Sequence, residues 1–262
     1  MSEIAPILTF ETNEVIFKIY TDLYPIDPRK DCDHIGTMVC KHRKYTLGDV
    51  QMTETLQAAL YDILCEIDTE LSEKLETLQS TMDPGNSKIK KLSTEALYHQ
   101  LLTDACAKYL ITLPLYLYDH SGITISTTSF NDRWDSGCVG FIYAKISDVL
   151  NLYGWDELTV ERNEQVLEYL KDEVEVYDQY LRGDVYRFTL TEQIECLYCH
   201  GDERIHDCLP CKGRGWFEGE EIDAVCSFYG DNWTKNGILD YIDAEKYPEI
   251  VTFLKEKVSH GV

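Results

Sequence analysis

Two closely spaced cysteine pairs place the tightest constraint on how this chain folds. Cys196 and Cys199 form one CxxC pair, Cys208 and Cys211 form another, and eight residues separate the two pairs. Two thiolates three positions apart on a tight turn can both bind one metal ion, and a second such turn completes a tetrahedron of sulfur ligands around Zn²⁺. The spacing therefore predicts an inserted zinc-binding loop over residues 194–220.

We expect this zinc to be structural. A site closed by four sulfur ligands has no open position for water or substrate, so catalysis at the metal is not expected. His200 and His206 are alternative ligands if one cysteine is free, and are otherwise surface histidines. The second pair, with the glycines behind it, resembles one CxxCxGxG repeat of the DnaJ-type zinc fingers, whereas the first pair continues differently.

The charge balance restricts the partners of the chain. Its 262 residues include 47 Asp and Glu against 24 Lys and Arg, a net charge of −23. Such a field repels both a phosphate backbone and an acidic membrane surface, so neither a nucleic acid nor a membrane is expected as a direct partner. With 44% hydrophobic residues the chain is nevertheless apolar enough to fold.

The sequence contains neither a recognisable membrane span nor a recognisable signal peptide. No uninterrupted apolar run approaches the roughly 20 residues that cross a bilayer, and the N-terminus lacks a basic start followed by a long apolar stretch. We therefore expect a cytoplasmic protein with reduced cysteines. In that compartment, metal binding and buried thiols are favoured over disulfides.

The pattern of apolar residues predicts an α+β fold with a central, mostly antiparallel sheet flanked by helices. Strands are predicted as a hairpin at 7–20 and as single segments at 113–119, 122–130, 138–146 and 185–195. Helices are predicted at 53–80, from a Ser93 N-cap to Leu110, from near Ser147, from near Thr159 to Gly183, and within 236–258. The helix-breaking segment at 82–86 separates the first two. We expect residues 1–262 to form one domain.

Acidic residues recur on one side of the long helix that is predicted near Thr159. A spacing of three or four residues places them in one line, the acidic ridge, formed by Glu161, Glu164, Glu168, Asp172 and Glu175. A solvated face that keeps the protein soluble is the simplest interpretation. The functional alternative is an electrostatic decoy, because carboxylates one helical turn, about 5.4 Å, apart approximate the spacing of phosphates along a strand.

Mixed polar segments are candidates for a small-molecule site. His42, Arg43 and Lys44 form an isolated basic segment that could hold an anionic group. The candidates for acid–base chemistry are Asp119, His120 and Asp135, provided that the fold brings them together. Since Asp, Ser and Gly are foremost turn formers, turns that bond their own backbone are the simpler interpretation.

Four segments carry the most distinctive sequence, and the most specific is YDHSGITISTTSFNDRWDSGCVGFIYAKI at 118–146. The others are IGTMVCKHRKYTLGD at 35–49, YDQYLRGDVYRF at 177–188 and FYGD at 228–231. Together they resemble a family of hypothetical proteins carried by bacteriophages and other mobile elements. The resemblance implies action in the cytoplasm of an infected bacterium, and the family supplies no reaction.

Two functional hypotheses lead, and a third, a purely structural virion component, is weakened by the mixed polar segments. The first is a non-enzymatic, phage-encoded acidic protein that acts as a DNA mimic, docking on a basic surface of a host nucleic-acid-handling defence complex and inhibiting it. The acidic ridge would steer that association, and the category of task is an analogy with other phage inhibitors. The second is an enzyme acting on a phosphorylated or nucleotide-like molecule, with the basic segment holding the anion beside the acid–base candidates. The oligomeric state is open in both.

Overall fold

The computed structural model describes residues 5–52, 54–81, 88–132, 134–201 and 207–258. Its contacts group the chain into two compact units, which we describe separately. Unit 1 comprises Met1–Asp27 and Gln179–Val262, and unit 2 comprises Pro28–Asp178. Each unit contains one mostly antiparallel sheet. The predicted α+β class is confirmed, while the single domain over 1–262 stays a prediction.

Nine strands and six α-helices make up the regular structure of the described ranges. The strands are β1 (Leu8–Glu11), β2 (Val15–Thr21), β3 (Thr37–Cys40), β4 (Val50–Gln51), β5 (Leu110–Asp119), β6 (Ile123–Ser126), β7 (Ser136–Lys145), β8 (Val185–Glu195) and β9 (Trp216–Tyr229). The helices are α1 (Leu56–Ile67), α2 (Thr69–Thr81), α3 (Lys88–Tyr109), α4 (Ile146–Tyr153), α5 (Val160–Arg182) and α6 (Pro248–Val258), with a 3-10 helix at Ile238–Tyr241. Among the described helices, none combines the length and the apolar character needed to cross a membrane.

Unit 1 is built on an antiparallel sheet in the order β1-β2-β8-β9. The predicted first hairpin is confirmed, and its turn is fixed by Thr12, whose Oγ1 accepts the Val15 N–H at 3.0 Å. Alternate residues of β2 and β8 point into one core, which also receives the apolar face of α6. The central residues of that core are Phe17, Ile19, Phe188, Ile250 and Leu254.

Unit 2 contains a five-stranded sheet in the order β4-β3-β7-β5-β6. All its strand pairs are antiparallel except β3 with β4, which is parallel. Helices α1, α2 and α3 share a core built from Leu64, Leu71, Leu75, Tyr98 and Leu102. Leu110 of β5 belongs to the same core, so the three helices pack against the sheet.

The helix predicted at 53–80 is divided at Asp68. This residue has extended backbone angles (φ −135°, ψ 99°), and its carboxylate accepts the Leu71 N–H at 3.0 Å and the Tyr109 hydroxyl at 2.6 Å. Asp68 therefore ends α1 and caps the start of α2. Apolar residues keep a helical spacing on both sides of the break, which is why periodicity predicts one continuous helix.

The other helix boundaries lie closer to those predicted from the sequence. α3 begins at Lys88, so Ser93 lies inside the helix instead of capping it. The predicted break at 82–86 lies outside the described residues. The predicted stop of the long helix is confirmed, because α5 ends at Arg182 and Gly183 adopts a left-handed φ of +76°.

Three strands are absent from the sequence prediction, namely β3, β4 and β9. β9 carries Glu218, Glu220, Glu221 and Asp223. Because acidic residues are depleted in strands, this composition does not predict one. It lies at the edge of its sheet, where charged side chains are tolerated and discourage pairing with other chains. The segment between Phe188 and Phe228 is therefore mainly a long β8–β9 hairpin, and the cysteine loop connects its strands.

Candidate functional sites

The four predicted metal-binding cysteines lie together in the loop between β8 and β9. All four are buried, and their sulfur atoms lie within 4.8 Å of one another. Cys196 Sγ lies 3.8 Å from Cys208 Sγ, and Cys199 Sγ lies 3.6 Å from Cys211 Sγ. None of the four is in a disulfide.

These distances fit a tetrahedral metal site. With metal–sulfur bonds of about 2.3 Å, two ligands at the tetrahedral angle are about 3.8 Å apart. Both of the short sulfur–sulfur distances, 3.8 and 3.6 Å, agree with that value. The four buried cysteines can therefore hold one metal ion.

Matching turns follow the two CxxC pairs and explain the glycines. His200 and Gly201 after the first pair have φ values of +47° and +68°, and Lys212 and Gly213 after the second pair have +53° and +77°. Glycine adopts such left-handed angles without steric cost. The two halves of the loop thus repeat the same turn, although only the second half matches the CxxCxGxG sequence. Of the two alternative histidine ligands, His200 is exposed and His206 lies outside the described residues.

Hydrogen bonds within the cluster favour the thiolate of one cysteine, which is the form that binds a metal ion. Burial opposes ionisation of Cys211, but the Gly215 N–H, which donates to Cys211 Sγ at 3.3 Å, and the neighbouring thiols outweigh it and lower the pKa of Cys211 to about 6. Burial instead raises the pKa of Cys199 to about 12. Because the thiolate is the form that binds metals, the cluster has one ligand ready at neutral pH.

The acidic ridge lies on the solvent side of α5. All five of its residues are exposed, whereas Val166, Leu170, Val174 and Tyr177 on the other side of the helix are buried. Lys171 pairs with the ridge, since its Nζ lies 2.5 Å from Glu168 Oε1. Packing of the apolar side therefore holds the ridge carboxylates outward in one row.

A buried ion cluster on α5 escaped sequence analysis. Arg29, whose side chain is 3% exposed, donates to Asp49 at 2.5 and 3.0 Å and to Glu173 at 2.9 Å. Glu173 also accepts the N–H groups of Ile35 and Gly36, at 2.7 and 3.2 Å. Arg29, Asp49 and Glu173, here called the Arg29 clamp, thus attach the chain around residues 29–49 to α5. Burial lowers the pKa of Arg29, but bonding to Asp49 and Glu173 outweighs that effect and raises it.

The acid–base and basic candidates converge at one end of the unit 2 sheet. Lys44 Nζ lies 3.1 Å from Asp119 Oδ2, and the Tyr45 hydroxyl donates to Asp119 Oδ1 at 3.0 Å. His120 Nδ1 lies 3.1 Å from Asp135 Oδ2. We call these five residues together with His42 the polar cluster. Its side chains are open to solvent, with 63% of His120 and 42% of Asp135 exposed.

Strand pairing explains why the polar cluster forms. β3 and β5 both pair antiparallel with β7, so their carboxyl ends point towards the end of the sheet at which β7 begins. The Asp119 N–H donates to the Asp135 carbonyl at 2.8 Å, which fixes β5 beside the start of β7. The loop after β3 brings Lys44 and Tyr45 to the same place, with the His42 ring stacked on Tyr45 at 4.9 Å. Arg43 is exposed in this loop.

The charges within the polar cluster are partly balanced. Hydrogen bonds from Lys44 and then Tyr45 lower the pKa of Asp119, and the neighbouring charges act in the same direction. The same Asp119 bond raises the pKa of Tyr45. Asp119 is therefore a carboxylate at neutral pH, and Tyr45 keeps its proton.

No family model, curated protein or solved structure matches this chain. The resemblance of residues 118–146 and the other three segments to a phage-borne family therefore stays a prediction.

Proposed function

We propose that this chain is a non-enzymatic acidic binding protein that docks on a basic surface of a nucleic-acid-handling defence complex and inhibits it. The observation that carries this proposal is the outward exposure of all five ridge carboxylates on α5. Glu161 and Glu175 are 14 positions apart in the sequence, about 21 Å along a helix axis. A strand of B-DNA places about six phosphates over that length, so the ridge offers a similar linear charge density.

The rest of the chain supports this use of the ridge. A net charge of −23 attracts a cationic partner over a longer range than five residues alone. Packing of Val166, Leu170 and Val174 fixes the helix before binding, so little ordering is needed when the partner docks. Like charges at this spacing cost an isolated helix a few tenths of a kcal/mol per pair, roughly, and a basic partner would relieve that repulsion.

Two further elements belong to the proposal. We infer that the ion of the cysteine loop is structural zinc, because four thiolates in tetrahedral arrangement suit Zn²⁺ and leave no open ligand position. We also infer a bacteriophage or other mobile-element origin and action in the host bacterial cytoplasm, supported by the resemblance of the four segments. The category of target is an analogy with other acidic phage inhibitors.

Charge reversal tests the ridge directly. Replacing Glu161, Glu164, Glu168, Asp172 and Glu175 with lysine is expected to weaken binding of the basic partner at least about fivefold. Exposed ion pairs contribute about 0.2–1 kcal/mol each, so five of them account for about 1–5 kcal/mol. Partners recovered from bacterial lysate on immobilised protein, and inhibition of the nucleases among them, provide the measurement.

The matched control carries the same change in net charge on other helices of unit 2. Its substitutions, each to lysine, are at Glu70, Glu73, Glu76, Glu95 and Asp104, all exposed outside the ridge. We expect this control to keep its partner and to lose it on raising the ionic strength, as the wild type does. Equal loss of partner binding in both variants would indicate a non-specific polyanion. Nuclease inhibition that survives charge reversal of the ridge would contradict the decoy hypothesis.

The polar cluster favours a second candidate, an enzyme acting on a phosphorylated or nucleotide-like small molecule. Asp135 bonds His120 through Nδ1, so Nε2 is left to exchange a proton with a substrate, as in acid–base pairs of hydrolases. Tyr118 stacks beside His120 at 6.0 Å, and the adjacent Trp134 is 92% exposed, so aromatic surface is available for a base.

His120→Gln tests this candidate. If the wild type hydrolyses p-nitrophenyl phosphate or a nucleoside triphosphate, removal of the proton-transferring group should reduce kcat about 10²-fold or more. His34→Gln, which changes a histidine of the same unit outside the polar cluster, should leave kcat unchanged. Absence of turnover by the wild type on these substrates, or equal rates for His120→Gln, would count against an enzyme.

A further inference from the structure

A cleft of about 410 Å³ opens between helix α1 and strand β4 in unit 2. Residues of α1 form one wall, and Val50 and Gln51 of β4 form the opposite wall. Sites for small ligands commonly have volumes of about 300–1,000 Å³, so this cleft can take a long side chain with part of its backbone. It is separate from the cysteine loop, the acidic ridge and the polar cluster.

The floor of the cleft is apolar. Val39 of β3, Tyr143 of β7 and Ile63 of α1 line it, and Val39 is buried. Val50 at the wall is 47% exposed. Val39 has almost no surface left to cover, but Ile63 and Tyr143 are only half-buried, and a ligand that covered them would remove apolar surface from water, which is favourable.

The rim of the cleft is acidic. Asp62 and Glu66 lie one turn apart on α1, and both are exposed. Within the described ranges, neither carboxylate accepts a side-chain hydrogen bond or joins an ion pair, and none of the eleven residues that line the cleft is Lys, Arg or His. Burial raises the pKa of Tyr143 at the floor, a hydrogen bond with Thr37 lowers it, and the charge of Glu66 raises it further. Lys41 Nζ donates to the backbone carbonyl of Glu54 at 2.6 Å and leaves the carboxylates of Asp62 and Glu66 to a ligand.

The wall formed by β4 is a sheet edge. β4 pairs with β3 on one side and is the outermost strand of its sheet. Edge strands present backbone N–H and C=O groups to which an extended peptide can add as a further strand. The cleft therefore joins three features, an apolar floor, an acidic rim and a backbone edge, and all three suit one kind of ligand.

We propose that this cleft binds an extended peptide segment that carries arginine or lysine. The peptide backbone lies along β4, the aliphatic stem of the basic side chain covers Ile63 and Tyr143, and its charged end meets Asp62 and Glu66. Arginine and lysine suit such a site because their stems are apolar and their ends are cationic. The cleft uses α1 and β4 and not α5, so the proposal stands independently of the acidic ridge.

A short blocked peptide of alternating valine and arginine is the probe, with fluorescence anisotropy as the readout. We expect saturable binding to the full chain at physiological ionic strength. The double variant Asp62→Asn, Glu66→Gln should weaken that binding about tenfold, because two charge contacts are lost. The same peptide with citrulline in place of arginine should bind at least tenfold more weakly, because it keeps the shape and loses the charge.

The double variant Glu73→Gln, Glu76→Gln is the matched control, since it removes two exposed carboxylates from α2 outside the cleft. It should bind the peptide within twofold of the wild type. As a second measurement that needs no variant, the NMR amide shifts of Val50 and Ile63 should move on titration with the peptide. Failure of the wild type to bind, equal weakening in both double variants, equal binding of the citrulline peptide, or shifts confined to α5 would each overturn the proposal.

Discussion

A Cys199→Ser, Cys211→Ser variant should lose the capacity to hold a metal ion and the ordered structure of the loop between β8 and β9. Among the described residues of the loop, little else is buried. The four cysteines pack with the partly buried Phe217, whereas Leu197, Tyr198 and Leu209 are at least 76% exposed. Structural zinc contributes about 10–16 kcal/mol of binding free energy in zinc-finger peptides, far more than such a small cluster of thiols can.

The effect should stay local. No residue of the cysteine loop that the structure describes belongs to the unit 1 core around Phe17, Phe188 and Leu254, so sheet β1-β2-β8-β9 should remain folded. We expect metal analysis to fall from about one zinc per chain to none, on the ligand set of one tetrahedral site. Hydrogen exchange should show loss of amide protection within 196–215 and little change in β2.

Cys226→Ser is the control for this experiment. Cys226 is an exposed cysteine on β9, outside the metal-binding set, and its replacement should change neither zinc content nor protection of the loop. Wild-type protein purified under reducing conditions without near-stoichiometric zinc would contradict the prediction. Full protection of 196–215 in the metal-free double variant would contradict it as well.

Arg29→Met should produce the second large effect, a loss of about 3–5 kcal/mol in the unfolding free energy of the chain. The substitution removes the cation and leaves Asp49 and Glu173 without their buried partner. The side chains of Asp49 and Glu173 are only 15% and 17% exposed, so water solvates their unpaired charges only in part, and uncompensated charge of this kind is unfavourable. Thermal denaturation should show a decrease in Tm of about 10 °C.

Two companion variants make this experiment specific. Lys171→Met removes a solvent-exposed ion pair from α5, the helix that carries Glu173. We expect this change to lower the unfolding free energy by less than about 1 kcal/mol. Adding Asp49→Asn and Glu173→Gln to Arg29→Met should restore part of the stability, since the amides no longer carry unpaired charge but can still accept backbone N–H groups. Equal Tm values for Arg29→Met and Lys171→Met would show that the Arg29 clamp does not hold unit 2 together.

Local patterns sufficed for much of the fold. Strands β5, β7 and β8 are dense in β-branched and aromatic residues, and α5 runs from the predicted start near Thr159 to the glycine that stops it. The break at Asp68 escaped prediction because the helical spacing of apolar residues continues across it. β9 escaped because its outward residues are acidic, and only its pairing with β8 makes it a strand.

The sequence by itself determined the cysteine ligand set and the line of the acidic ridge. Both depend on spacings of three or four residues, which turn and helix geometry convert directly into distances. Only the tertiary structure decided the Arg29 clamp, the polar cluster and the α1–β4 cleft. Arg29 and Glu173 are 144 positions apart, and Lys44 and Asp119 are 75 apart. Strand pairing and core packing bring such residues together, and no local spacing in the chain encodes those contacts.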